Sequence, residues 1–421
     1  MLKVQPQSPK QLFRPHVLML TQRFPYPPNR GDRIRSYHLL QYLANHFEMS
    51  LGCTTHEPIA AASMGHLREL VSDLFVCPIG RWTKYRRAAQ SVARGASLTE
   101  GYFDSPALAK SIRTAHARRP FDAILVYCSS MFQYRKRSGL HQIPTVVDLV
   151  DVDSQKWEQL ASQSAGLKRR IYQLETTRTG SVERAIATSA AAVALTSQQE
   201  AKLFEASVGG TPTTHGISNG VDTSYFRTAE MNQRQRDRPQ GSPIQLVFTG
   251  VMDYQPNVEG MLWFCKHIWP LVIQHTRANL KIVGRRPTQA IRELGNIDGI
   301  TVTGEVDDIR PYLAAADIAI SPLLLARGIQ NKVLEAMASG LPTVVTPQSA
   351  EGIEAHSDVH FQVAREAGEF ADAIVSLAES PQSRQAMGAA ARQLVAQHYS
   401  WPARLDKFRE LIDHACSSGI K

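Results

Sequence analysis

Short, almost unbroken apolar runs alternate with longer stretches of mixed polarity along this chain. His16–Thr21 is the first such run, and a loop rich in Pro, Gly and Arg follows it at Arg23–Arg33. Ile34, Tyr37, Leu40 and Leu43 then recur at helical spacing. Glu48–Cys53, Phe121–Tyr127, Thr145–Leu149 and Ala191–Thr196 read as further strands, and Lys156–Ile186 as mostly helical. Strands that are apolar on both faces, separated by helical stretches, predict a parallel sheet with crossover helices.

At 227–242 the chain turns polar and charged (RTAEMNQRQRDRPQGS), the composition of a linker. The rhythm then restarts. Strands are expected at Ile244–Thr249, Leu280–Val283, Ile300–Thr303, Ile318–Ser321 and Thr343–Thr346, several of them ending on Gly. Helices are expected at Val258–His275, Ile309–Ala316, Lys332–Ser339, Glu366–Ala378 and Pro381–His398. The fold class is therefore α/β, with two doubly wound, Rossmann-like domains facing across a cleft. Residues 1–15 form an extension, 16–226 the first domain, 227–242 the linker and 243–395 the second domain. Residues 396–421 hold a last helix crossing back to the first domain, with Tyr399 and Trp401 as structural packing.

A length of 421 residues agrees with two domains. No apolar run reaches the roughly 18–20 residues that span a bilayer. The N-terminal residues lack the apolar core of a signal peptide, so the expected compartment is the cytoplasm. The five cysteines are scattered without a C-x-x-C pair and read as reduced thiols. The net charge of +9 is uneven: residues 1–240 carry 31 Lys/Arg against 19 Asp/Glu. A basic first half suits a pyrophosphate-linked acceptor or an anionic inner membrane surface touched peripherally. No aromatic-interleaved basic motif points to nucleic acid, and no G-x-G-x-x-G follows a strand, which argues against an NAD-linked oxidoreductase.

The densest chemistry lies at Pro322–Pro342 (PLLLARGIQNKVLEAMASGLP). A loop with Gly328 feeds a helix starting near Asn331. Free N–H groups and the dipole at a helix start attract phosphate oxygens. Lys332 in that first turn is poorly placed for helix stability, and an anionic ligand would resolve the conflict. Glu335, one turn on, can accept both hydrogen bonds of a vicinal diol such as a ribose. In the first half, Asp148, Asp151 and Asp153 form an acidic run. Asp151 and Asp153 match the D-x-D spacing of a metal site. Asp148 or Asp151 touching acceptor or sugar is the preferred reading, with Asp153 or Ser154 as a helix cap in competition.

These segments resemble glycosyltransferase family 4, retaining enzymes of the GT-B type. FTGVMDYQPNVEG (248–260), KIVGRRP (281–287), TVTGEVDDIRPYLAAADIAISPL (301–323) and ARGIQNKVLEAMASGLPTVVT (326–346) are similar to one branch in particular. That branch is the sugar transferases associated with exopolysaccharide and exosortase (PEP-CTERM) systems. RFPYPPNRGDRIRSYH (23–38), VVDLVDVDSQKW (146–157) and SNGVD (218–222) match its first half. The resemblance implies a nucleotide-sugar donor, a lipid-linked or glycan acceptor, and no cofactor or obligatory metal. Lys332, Glu335, Asp148 and Asp151 would be catalytic. Lys332 would neutralise the diphosphate and Glu335 bind the ribose, with Arg327, Gly328, Ile329, Gln330 and Asn331 as loop contacts. Gly250 would open the donor pocket, Gly284 and the turn Gly304–Val306 flank the base, and Arg30 and Gly31 meet the diphosphate or reacting sugar, with Arg33 beside them.

The sequence departs from the family at three places. Arg327 stands where many members carry the first Glu of a pair, and Asp253 where a cation is common, with Arg285 or Arg286 as substitutes. No His follows the strand at Phe121–Tyr127; Cys128, Ser129 and Ser130 stand there instead. Retention by same-face attack would need no protein base. A non-catalytic nucleotide-sugar-binding subunit and a nucleotide-sugar epimerase are the alternatives.

Overall fold

The computed structural model describes residues 14–29, 31–209, 213–226, 241–326 and 328–418. They fall into two compact units, one running to Ser218 and resuming at Leu405, the other spanning Asn219–Arg404. The change of unit thus precedes the polar stretch expected to be the linker, most of which, like most of the 1–15 extension, lies outside the described residues.

The first unit holds a parallel sheet of seven strands. They are β1 (His16–Thr21), β2 (Glu48–Thr55), β3 (Asp73–Pro78), β4 (Ala123–Tyr127), β5 (Thr145–Val150), β6 (Ala192–Leu195) and β7 (Thr214–Gly216). Their order, β3-β2-β1-β4-β5-β6-β7, reverses between β1 and β4. All six residues of β1 are buried, as a central strand covered on both faces requires.

The second unit holds β8 (Ile244–Thr249), β9 (Ala278–Val283), β10 (Ile300–Gly304), β11 (Ile318–Ser321), β12 (Thr343–Val345) and β13 (Gln362–Val363). Their order is β10-β9-β8-β11-β12-β13, again parallel, reversing between β8 and β11. Alternate side chains feed two cores. Leu246, Phe248, Ile282, Ile318 and Ile320 join one cluster; Val247, Val283 and Ala319 join the other. Each fully buried Val, Leu, Ile or Phe among them contributes about 1.5–3 kcal/mol. Ligands of sheets wound this way bind beyond the carboxyl ends of the strands, at the reversal.

The structure refines three local expectations. The stretch expected to be mostly helical, Lys156–Ile186, is so, in two helices, Asp153–Ser162 and Gly166–Ser189, the second opening on Gly166 at a left-handed φ of 59°. The helix expected at Val258–His275 starts at Gln255 and carries a π segment at Phe264–Ile268, just before Pro270, which has no N–H to continue the ladder. Neither Asp153 nor Ser154 caps the Asp153–Ser162 helix: Val152 is the N-cap. The Ser154 amide instead donates to the buried Glu183, at 3.0 Å. The stretch between β2 and β4, not assigned from sequence, holds β3 and helices at Ala61–Leu70, Arg81–Ala93, Leu98–Tyr102 and Pro106–Arg118.

Candidate active site

In the second unit a cavity of about 800 Å³ opens beyond the carboxyl ends of β8, β9 and β10. Its floor depends on two glycines. A Cβ on Gly284 would stand 1.7 Å from the Gly250 carbonyl oxygen, so the chain ends of β8 and β9 approach as only glycine allows. A Cβ on Gly250 would meet the Asn257 amide at 2.7 Å and the Lys332 ammonium at 3.4 Å.

The far wall is the start of the Asn331–Ala338 helix, whose N-cap residue, Gln330, makes no side-chain cap. Val333, Leu334, Met337 and Ala338 are buried, which turns Lys332 and Glu335 toward the cavity. Lys332 Nζ donates to Asn257 Oδ1 and lies 4.6 Å from the centre of the Phe248 ring. Asn257 is itself fixed, its Nδ2 donating to the Val251 carbonyl at 2.9 Å. The Glu335 carboxylate has no hydrogen-bond partner among the described residues. Burial pushes Lys332 down to about 7 and Glu335 up to about 7, with their mutual attraction the weaker, opposing influence.

Of the residues singled out from sequence, Gly250, Gly284, Val306, Ile329, Gln330, Asn331, Lys332 and Glu335 line this one cavity. Gly304 ends β10 beside it, with a φ of 74°, and its carbonyl accepts from the Gly284 amide. Gly328 starts the loop that leads to Gln330. Arg285 and Arg286 both line the cavity, but Arg286 is paired with Asp253 at 3.0 Å. Asn257 was not foreseen: a lone Asn in a helical run gives no sequence signal of the lysine it holds. Arg30 and Arg327 lie outside the described residues.

Gly31, Asp148 and Asp151 belong to the first unit and contribute nothing to this cavity. Gly31 opens the helix Gly31–Leu43. Asp148 overturns its expectation. It is 0% exposed and bound at both oxygens by Arg35, at 2.7 and 3.1 Å, so it sits in the core as half of a buried ion pair rather than on an acceptor surface. Asp151 is more open. It emerges after Val150, whose φ of 72° is a strained one for a β-branched residue, and Lys156 holds its carboxylate at 2.7 Å. Lys156 also reaches Asp153, at 3.6 Å, so the D-x-D pair faces an ammonium.

Residues 243–380 match the family described as glycosyl transferases group 1. No curated protein matches the chain. Among solved structures, sucrose-phosphate synthase from Thermosynechococcus elongatus is similar over 96% of this chain and 100% of its own, at 17% identity and a TM-score of 0.62. The Anabaena protein HepE, solved with UDP, is similar over 95% of this chain and 100% of its own, at 16% identity and a TM-score of 0.61. A glycosyltransferase from Rickettsia africae covers 96% of this chain and 98% of its own, at 14% identity and a TM-score of 0.61. These likenesses establish the architecture, two parallel α/β sheets of the GT-B fold, and within the second unit residues 243–380 carry the similarity to group 1 glycosyl transferases.

Proposed function

We propose that this enzyme transfers a sugar from a nucleoside-diphosphate donor, held in the 800 Å³ cavity, to a lipid-linked or polysaccharide acceptor in cell-surface glycan synthesis. One observation carries the donor reading. A cation and a carboxylate, one helical turn apart and both displaced to about 7 by burial, face a cavity in which no ion pair joins them. Removing a charge from water without a countercharge costs stability, and a ligand that supplies the countercharge recovers it. The diphosphate meets Lys332 and the start of the Asn331–Ala338 helix, and the ribose diol donates to Glu335. As the glycosidic bond breaks, negative charge builds on the diphosphate, and Lys332 with the helix N-terminus stabilises it. Departing phosphate oxygen takes the acceptor's proton, giving retention at the anomeric carbon.

HepE was solved with UDP and with UDP-glucose, so uracil is the first base to try. The exopolysaccharide setting rests on the sequence resemblance. Peripheral membrane contact is supported by Leu167, 75% exposed, with exposed Ile171 and Leu174 beside Lys168, Arg169 and Arg170; among the described residues no helix is long and apolar enough to cross a membrane.

The test is a thermal-shift screen of nucleoside diphosphates and their sugars, followed by transfer assays. A ligand at 100 times its Kd should stabilise the protein by about 2.7 kcal/mol. Lys332→Ala should cut transfer at least about tenfold without lowering the melting temperature of the free protein. A folded variant with wild-type rates would refute the role of Lys332. Arg327 in place of the family's first Glu favours a second reading, a nucleotide-sugar binder without transferase turnover. Binding without donor consumption would support it, and donor conversion without acceptor would indicate an epimerase.

A further inference from the structure

We propose that the first unit contains a built phosphate site, and that the acceptor of this enzyme bears a phosphate or pyrophosphate group. The inference rests on the glycosyl-transfer reading and names its acceptor class. The site is a cavity of about 150 Å³ beyond the carboxyl ends of β1 and β2, where the ligands of such sheets bind. Four separate segments bring basic side chains to it. Arg23 comes from the loop after β1, Arg33 from the first turn of Gly31–Leu43, His56 from the end of β2 and Lys84 from the first turn of Arg81–Ala93. The cavity is far smaller than the donor cavity of about 800 Å³ and suits a phosphoryl group rather than a nucleotide sugar.

The hydrogen bonding of Arg33 and His56 is incomplete. Arg33 donates to Glu57 through one terminal nitrogen at 2.8 Å, but its Nε is buried with no partner. His56 Nδ1 donates to the Ile79 carbonyl at 3.3 Å, which fixes the neutral ring with its lone pair on Nε2. That Nε2 is also buried and unpartnered. Lys84 Nζ donates to the Tyr102 hydroxyl at 2.6 Å and lies 4.7 Å from the centre of the same ring, so an aromatic wall aims the ammonium. Buried polar atoms are mostly paired in folded proteins, and two of the unpaired ones among the described residues belong to side chains that line this one polar cavity.

A tetrahedral anion satisfies every one of these groups. Its oxygens accept from Arg33 Nε and from Lys84, and a protonated phosphate oxygen donates to His56 Nε2. Burial holds His56 below its usual range, against the hydrogen bond to Ile79, and the charges of Lys84 and Arg23 add to that lowering. Glu57 lines the rim with its side chain 53% exposed, and its pairing with Arg33 holds the place of the anion. A neutral sugar hydroxyl would leave these basic groups unused. The same chemistry arises in a free sugar phosphate and in a polyprenyl phosphate carrier.

The test uses the full chain with its donor cavity saturated by the best-binding nucleoside diphosphate, so that phosphate cannot report from there. Inorganic phosphate, glucose 6-phosphate, and a polyprenyl phosphate in detergent micelles are titrated against glucose and empty micelles as controls. Phosphate-bearing probes should bind and the controls should not. The double variant Arg33→Gln with Lys84→Gln should weaken that binding at least about tenfold, the scale of losing charge-assisted hydrogen bonds. An unchanged far-UV circular dichroism spectrum and a cooperative melt without nucleotide show that the variant is folded. A preference for glucose 6-phosphate indicates a soluble acceptor, and a preference for the lipid a carrier-linked one. Unchanged binding in the double variant overturns the proposal, as does a nucleotide-responsive wild type that ignores all three phosphate probes. A wild type that responds to no nucleotide sinks the donor reading instead.

Discussion

Lys332 sits in the first turn of a helix, where the dipole disfavours a cation, and is half-buried against Phe248 and Asn257. Glu335 is displaced in the opposite sense, up to about 7. These shifts set the pH dependence of donor binding. The bound state needs Lys332 charged and Glu335 ionised. Above about 7, Lys332 is neutral in the free enzyme and must take up a proton as the donor binds. Below about 7, Glu335 must release one. Affinity should therefore peak near neutrality and fall on either side, approaching tenfold per pH unit for one linked proton. Titration calorimetry with a nucleotide sugar, whose diphosphate diester has no ionisation of its own in this range, reads this directly. Glu335→Gln should abolish the acid limb and leave the alkaline one. A flat profile from pH 6 to 8 would refute the paired displacement.

Strand β5 decides what the acidic run does. Asp148 falls on a buried position of the strand and is caught by Arg35 from the Gly31–Leu43 helix, while the strained turn at Val150 sends Asp151 out beyond the strand. Removing one member of a buried ion pair leaves the other charge stranded, at a cost of about 3–5 kcal/mol. Asp148→Ala should lower stability by that amount in denaturant titration, and Asp148→Leu with Arg35→Met should restore much of it. A catalytic Asp148 would behave otherwise, with turnover lost and the melting point kept. Arg35 and Asp148 are 113 residues apart, and nothing local in the sequence marks them as partners. The same holds for Asn257 and Lys332. The cavity's glycines and its helix start were readable because each is a local signal: a Gly ending an apolar run, a cation in a first turn. The central strands were readable because burial on both faces makes them uniformly apolar. The edge strand β3 was not, being mostly half-buried and mixed in character. Nor was Arg81–Ala93, where Trp82 and Tyr85 face solvent at 81% and 55% exposure. Ser105 followed by Pro106, an N-cap with proline at the first helical position, is a start signal that was present and passed over.

At the scale of the whole chain, the last helix, Trp401–Ser418, makes each unit depend on residues remote in sequence. Its first turn belongs to the second unit, where the Trp401 backbone lies so close to Gly220 that a Cβ there would stand 2.5 Å away. From Leu405 onward it belongs to the first unit, with Leu405, Phe408, Ile412 and Ala415 all 0% exposed. Tyr42 donates to Asp406 at 2.7 Å, and the Arg35 guanidinium lies 5.5 Å from the centre of the Phe408 ring. Phe408 thus packs beside the same buried cation that Asp148 neutralises. Phe408→Ala should cost about 3–5 kcal/mol, the range for a buried aromatic, and that loss falls on the first unit. The donor cavity belongs to the second. Scanning calorimetry of the variant should show an early transition that nucleotide does not move and a later one that it raises. Transfer activity should disappear with the early transition while nucleotide binding persists to the later one. A single transition, raised by nucleotide as in the wild type, would mean that the last helix adds little to the core it enters.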